Sequence, residues 1–283
     1  MTISNASAYE MKVMAVAGYS KPWLAIYQND SVFLQNQIQT RLHFHGFTQN
    51  PQTGAPFQPD YDFPWIDQSK TPTDAQLRHF VEAFGFQREV ENFPDHLVII
   101  PISRGHCDQY PELMEVANFD SAFQQVIRWL EIDQNKLNLT TVSAHSGGGK
   151  ILAHLMGQAS SSIFLSKATR SDFYDALYND DDIIGVTRWM TTAGFIHSLR
   201  LFSVPDHEPA QRGDLLYHSM NGAELVKTTP IDGLNISSSL KTLSSGNQLM
   251  IIQEKNQQLD HWSLVKMAWV YYPLQVFHFV SVL

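Results

Sequence analysis

Residues 139 to 156 constrain this chain more than any other stretch. Leu139, Thr140, Thr141 and Val142 make a short run, rich in β-branched residues, that reads as a buried strand. Ser146 follows, with Ala144 two positions before it and Gly148 two positions after it. Beyond the glycines, Ile151, Leu152, Ala153, His154, Leu155 and Met156 read as a helix. A strand, a sharp turn and a helix with serine at the turn is the setting of a nucleophile elbow. The small flanks have a steric reason, because so tight a turn strains the serine backbone and larger side chains two positions away would collide. The turn also aims the N–H groups of Gly147 and Gly148 at a helix start, where negative charge is favoured. Ala144 stands where such turns usually carry glycine. A phosphate-binding loop ending in Gly149 and Lys150 competes but fails at both ends. Its first glycine is missing, and Ile151 replaces the Ser or Thr that must meet magnesium.

The chain of 283 residues is long enough to bury a large core as one domain, residues 1 to 283. Apolar residues make up 43% and charged residues only 17%, and 28 acidic against 19 basic residues give a net charge of −9. That balance argues against nucleic acid or an anionic membrane as the main partner. The single cysteine, Cys107, excludes a disulfide framework within the chain and suits a reducing compartment. The polar first ten residues do not resemble a signal peptide, and no run of about 18 apolar residues appears. The apolar run 276 to 283 is too short to span a bilayer. A cytoplasmic protein is expected, with no firm membrane association.

Taken in order, residues 11 to 17 read as a strand, with 23 to 27 packed nearby, and 39 to 47 as a second strand ending in His45, Gly46 and Phe47. Residues 48 to 73 read as a long loop. Asp74 is placed to cap a helix over 75 to 92, whose Leu77, Phe80, Val81 and Phe84 recur at helical spacing. The continuous apolar run 97 to 101 is the signature of a strand covered on both faces. Residues 119 to 130 are helical by period. Strands are expected over 172 to 178, 199 to 204 and 248 to 253, and a last helix from 262 to 271. Alternating strands and helices mean crossover units, hence a three-layer α/β/α sandwich around a mostly parallel sheet. Residues 180 to 245 are long for simple connections and are expected to hold a small helical cap over the sheet edge.

With these residues in view, the chain resembles the α/β-hydrolase superfamily of serine esterases and lipases over residues 11 to 271. His45, Gly46 and Phe47, then Pro101, the turn from Ala144 to Gly148, and His261 carry the resemblance. It implies an order of serine, acid and histidine along the chain. Ser146 then serves as nucleophile and His261 as general base and acid, with Asp175 as the orienting carboxylate. It also implies an oxyanion hole built from the N–H groups of Gly147 and Phe47. Asp206, one strand later at the more usual location, is the alternative acid. Asp260 ranks behind both, since its neighbour His261 is awkward to reach.

His43 and His45 share one face of a strand, but no carboxylate lies nearby at ligand spacing, so no metal is expected. No organic cofactor is implied either. His145 either lines the pocket or fills space. Cys107 lacks an elbow and reads as a passive thiol. Trp189, Phe195 and Phe202 either line an acyl pocket or belong to the core. The expected activity is cleavage of an ester, or else an amide, in a small or medium neutral molecule. Two other readings stay open: a binding protein that keeps the fold without turnover, and an acyltransferase that uses the same serine.

Overall fold

The apolar run after Asp95 forms a strand whose side chains divide strictly between two cores. Leu97 and Ile99 enter one, Val98 and Ile100 the other. This period-two division repeats across the sheet and sets the three layers. The structure, a computed structural model, describes residues 9–46, 73–103, 110–192, 196–231, 234–254 and 259–271. Its strands are β1 (Glu10–Met14), β2 (Trp23–Tyr27), β3 (Ile38–Phe44), β4 (His96–Pro101), β5 (Leu137–His145), β6 (Arg170–Tyr174), β7 (Ser198–Ser203), β8 (Gly222–Ile231), β9 (Leu234–Leu243) and β10 (Gln248–Glu254). The helices are α1 (Asp74–Phe84), α2 (Gln87–Asn92), α3 (Val116–Trp129), α4 (Gly148–Met156), α5 (Asp180–Met190), α6 (Glu208–Ser219) and α7 (His261–Tyr271).

All ten strands form one sheet in the order β1-β2-β4-β3-β5-β6-β7-β10-β9-β8. The six central strands, β4 to β10 in that order, are parallel, and antiparallel strands flank them on both sides. Apolar side chains of α3, α4, α5 and α6 cover one face, and those of α1, α2 and α7 the other. The chain leaves β3 through α1 and α2 to reach β4 on one side, then returns through α3 to β5 on the other side of β3. At such a reversal neighbouring connections diverge to opposite faces and open a crevice at the carboxyl ends of the strands. No helix among the described residues is long and apolar enough to cross a membrane.

Several expected boundaries shift for identifiable reasons. The helix expected over 75 to 92 is two helices, broken where Gly85 takes a left-handed φ of 76° and caps α1. The cap at its start is Thr73, whose side chain accepts the Gln76 N–H while Gln76 bonds back to the Thr73 backbone, so Asp74 is already helical. The strand expected over 172 to 178 runs instead from Arg170 to Tyr174. It cannot continue, because Asp175 has a φ of 47°. Residues 180 to 245, expected as a helical cap, do contain two helices, but these pack in the layer beside the sheet. α5 lies on α4, and α6 on β7 and β10. The rest of that segment is β7 and the β8–β9 hairpin, which ends the sheet in an open strand with Leu225 and Val226 exposed. The apolar run 276 to 283 lies outside the described residues.

A buried ionic network crosses the face under α2 and α7. Arg200 on β7 grips Asp172 on β6 through two bonds, Nε to Oδ1 at 2.7 Å and Nη2 to Oδ2 at 2.5 Å. Arg41 on β3 bonds the Tyr174 hydroxyl at 2.8 Å, lies 3.4 Å from Asp172 and 3.7 Å from Glu89, and covers the Trp269 ring at 4.5 Å. Burial alone would raise the Asp172 carboxyl, but Arg200 and Arg41 hold it below the usual carboxylate range. Such a network is stable only when whole, since removing one partner strands a charge in the core. Arg200→Met should therefore lower the unfolding free energy by about 3–5 kcal/mol, measured by urea denaturation. A loss below about 1 kcal/mol would mean that the pair is far better solvated than its burial indicates.

Candidate active site

Strand β5 delivers Ser146 to the carboxyl edge of the sheet, beside the end of β3. Ser146 has a φ of 51°, in the left-handed region that a non-glycine residue occupies only under constraint. The constraint is visible on both sides. The Ser146 N–H donates to the Tyr174 carbonyl at 3.0 Å, and the Ser146 carbonyl accepts the Gly149 N–H at 2.9 Å, so α4 begins immediately. A Cβ on Gly149 would lie 1.7 Å from the Ala176 carbonyl oxygen, and one on Gly46 would lie 2.4 Å from Ser146 Cβ. Neither position has room for any side chain, so three chain segments touch through backbone at this point. Ser146 itself is 6% exposed.

The loop after β6 begins at Asp175, whose carboxylate is buried and accepts three donors. His261 Nδ1, at the start of α7, lies 2.6 Å from Oδ2, and His207 Nδ1, just before α6, lies 3.1 Å from the same oxygen. The Val204 N–H reaches Oδ1 at 3.3 Å. The carboxylate on His261 is thus Asp175. From the loop after β7, the side chain that reaches this carboxylate is His207, while Asp206 takes a left-handed turn with a φ of 67°. Further along the β6 loop, the Tyr178 phenol stands near the Ser146 side chain and Asp175. Burial, and then the nearby Asp175, push that phenol up, so it is neutral. Its backbone N–H is held by Asp182 Oδ2 at 3.0 Å. Asp260 accepts the Ser263 N–H at 2.6 Å and so caps α7.

The neighbouring histidines are scaffold. His145 Nε2 bonds the backbone carbonyl of His261 at 3.0 Å, and the two rings lie 4.5 Å apart, so His145 holds the residue whose imidazole bonds Asp175. His45 accepts the Ser103 N–H on Nε2 at 2.9 Å and donates from Nδ1 to the Gly46 carbonyl at 2.9 Å, tying the end of β3 to the segment after β4. The Tyr110 hydroxyl adds a bond to the His45 carbonyl at 2.9 Å. His43 pairs with Ser143 Oγ at 2.9 Å beneath Phe86 and Trp269. His43 and His45 thus share a face but hold different partners.

Trp189 and Phe202 are core residues, Trp189 against His197 and Phe202 against Tyr174. Phe47, Cys107 and Phe195 lie outside the described residues. A cavity of about 650 Å³ lined by Met190, Met220 and Asn247 opens at the opposite, amino-terminal edge of the parallel strands and is remote from Ser146. Sequence reasoning missed His207 and Tyr178. Adjacency to Asp206 was the one signal for the first, and for the second its place three residues after Asp175.

The fold has known counterparts. No family model matches the sequence, and no curated protein matches it. Among solved structures, the chain is similar to a mutant of the feruloyl esterase module from Clostridium thermocellum complexed with sinapinate. Identity is 11% over 92% of this chain and 85% of that one, with a TM-score of 0.50. It is also similar to a cold-adapted esterase from an Arctic intertidal metagenomic library, at 10% identity over 92% of each chain and a TM-score of 0.44. A post-proline cleaving enzyme from Rickettsia typhi is 9% identical with a TM-score of 0.45. The match covers 93% of this chain but 37% of that one, so this chain spans little more than a third of that enzyme. The likeness to the feruloyl esterase module, at a TM-score of 0.50, shows the architecture: this chain has the α/β-hydrolase fold.

Three histidines of this region are fully buried and held neutral. Burial lowers His45 to about 4, and burial with neighbouring charges lowers His43 and His145 well below the usual histidine range. Unfolded histidine takes up its proton near pH 6.5. Between that pH and the folded value the unfolded chain therefore binds more protons, and stability rises with pH. This stability is complete above about pH 6.5 and is lost as the pH falls toward about 4. His45 alone accounts for about 3 kcal/mol. A flat Tm between about pH 7 and 4.5 would contradict this assignment.

Proposed function

We propose that this protein is a serine hydrolase that cleaves an ester, in preference to an amide, through an acyl-enzyme on Ser146. The observation that carries the reading is the strained serine of the strand–helix turn, on the same edge as an imidazole bonded to a buried carboxylate. A hydroxyl at that turn is presented outward from the sheet edge, and a protein tolerates the backbone cost there when the side chain has work to do. The fold shared with esterases and peptidases agrees with a hydrolase but leaves bond type and substrate open.

In this reading His261 takes the Ser146 proton as Oγ attacks the carbonyl carbon, and the carbonyl oxygen becomes the oxyanion. Asp175, bonded to His261 Nδ1, keeps Nε2 free to accept that proton and stabilises the imidazolium. The Gly147 N–H, just past the serine, and the Phe47 N–H are the oxyanion donors, and loss of one such donor typically costs about 10²–10³ in rate. His261 then protonates the leaving alcohol, which departs as the C–O bond breaks. Water, deprotonated by the same imidazole, attacks the acyl-enzyme and releases the acid, restoring Ser146. The substrate is a small or medium neutral ester, and no metal or organic cofactor takes part in these steps.

A fluorophosphonate probe should label the folded protein at Ser146, and Ser146→Ala should abolish both labelling and hydrolysis of p-nitrophenyl acetate. Asp175→Asn should lower turnover by about 10⁴ with the fold retained. Folded wild-type protein that neither labels nor hydrolyses would sink the proposal in favour of a binding protein. If competing alcohols capture the acyl group in place of water, the enzyme is an acyltransferase.

A further inference from the structure

We infer that His207 is a positioning residue for this reaction, acting through Asp175, an inference that rests on the hydrolase reading. Orienting one imidazole requires one ring on the carboxylate. Here Asp175 Oδ2 carries two, His261 at 2.6 Å and His207 at 3.1 Å, while Oδ1 takes the Val204 N–H. A carboxylate oxygen has lone pairs for two donors, so both bonds coexist.

The two rings come from different elements. His261 opens α7 on one face of the sheet, and His207 is the extended residue before α6 on the other, with a φ of −78°. The carboxylate is therefore clamped from two sides, and a shift of either helix alone leaves one clamp in place. The exposures also differ: the side chain of His207 is 49% exposed and that of His261 20%. His207 faces Asp175 on the β6 loop, which it shares with His261, and its neighbours in sequence are Asp206 and Glu208. Arg212 lies 3.6 Å from Glu208 and also bonds Asp180, so that cation is engaged on the outer side.

The clamp works through its hydrogen bond. His207 donates its Nδ1–H to the carboxylate at 3.1 Å and fixes it, and the fixed carboxylate in turn fixes the His261 ring.

Two variants test this. His207→Asn keeps an N–H donor at the position, and His207→Ala removes it. With p-nitrophenyl acetate at the plateau of the pH profile, the Ala variant should lose about 3–10-fold in kcat with KM changed less than about twofold, and Asn should restore kcat to within about twofold. The NMR signal of the His261 ring Nδ1 proton should shift or broaden in the Ala variant and return toward wild type in the Asn variant. An Ala variant with kcat within about twofold of wild type, or an Asn variant that stays as low as Ala, would overturn the proposal. If the wild-type protein neither labels at Ser146 nor turns over, the hydrolase reading has failed, and the His261 signal alone decides whether His207 positions that ring through Asp175.

Discussion

Close backbone contact at the end of β5 is the constraint on which the site depends. Gly46, just after β3, and Gly149 from α4 meet Ser146 and Ala176 at distances that leave no volume for a Cβ. With these segments pressed together, Ser146 has no ordinary conformation open to it, and the left-handed backbone results. The same contact fixes where the β6 loop starts, and therefore where the Asp175 carboxylate lies. The geometry around the serine is a result of packing among backbones, and polar side chains refine it.

That refinement is layered. Asp175 holds His261, His145 holds the carbonyl of His261, and His45 ties the end of β3 to the segment after β4. Beneath them the network of Arg41, Asp172, Arg200 and Glu89 joins three strands and α2 on the face where α7 packs, with Trp269 of α7 lying over Arg41. The helix that carries His261 is thus anchored at its first residue by bonds to the site and near its end by a buried cation. Two anchors at opposite ends limit rotation of the helix and keep its first imidazole in register with the carboxylate.

Much of this was legible in the residues themselves. The turn around Ser146 announces itself through small flanks between a β-branched run and an apolar helix, and the run from Leu97 to Ile100 reads directly as a strand covered on both faces. Periodicity also finds α1 and α3, because Leu77, Phe80 and Phe84, or Phe119, Phe123 and Val126, repeat on one side. What escaped depends on long-range contact. Arg41, Asp172 and Arg200 look like surface charges until the sheet brings them together. Strands β8 and β9 are rich in Ser, Thr and Lys and sit at a sheet margin, where no strong apolar alternation is demanded. His207 has no spacing rule to reveal it, since its partner lies 32 positions earlier and the contact depends on how α6 begins.

The left-handed residues carry one more consequence. Among the described residues, the non-glycine ones with positive φ are Glu131, Ser146, Asp175 and Asp206, and the last three come after β5, β6 and β7 in turn along one edge. Each such residue disfavours the native state by about 1–3 kcal/mol. Packing along that edge must therefore offset a backbone cost that glycine or asparagine at the same positions would relieve.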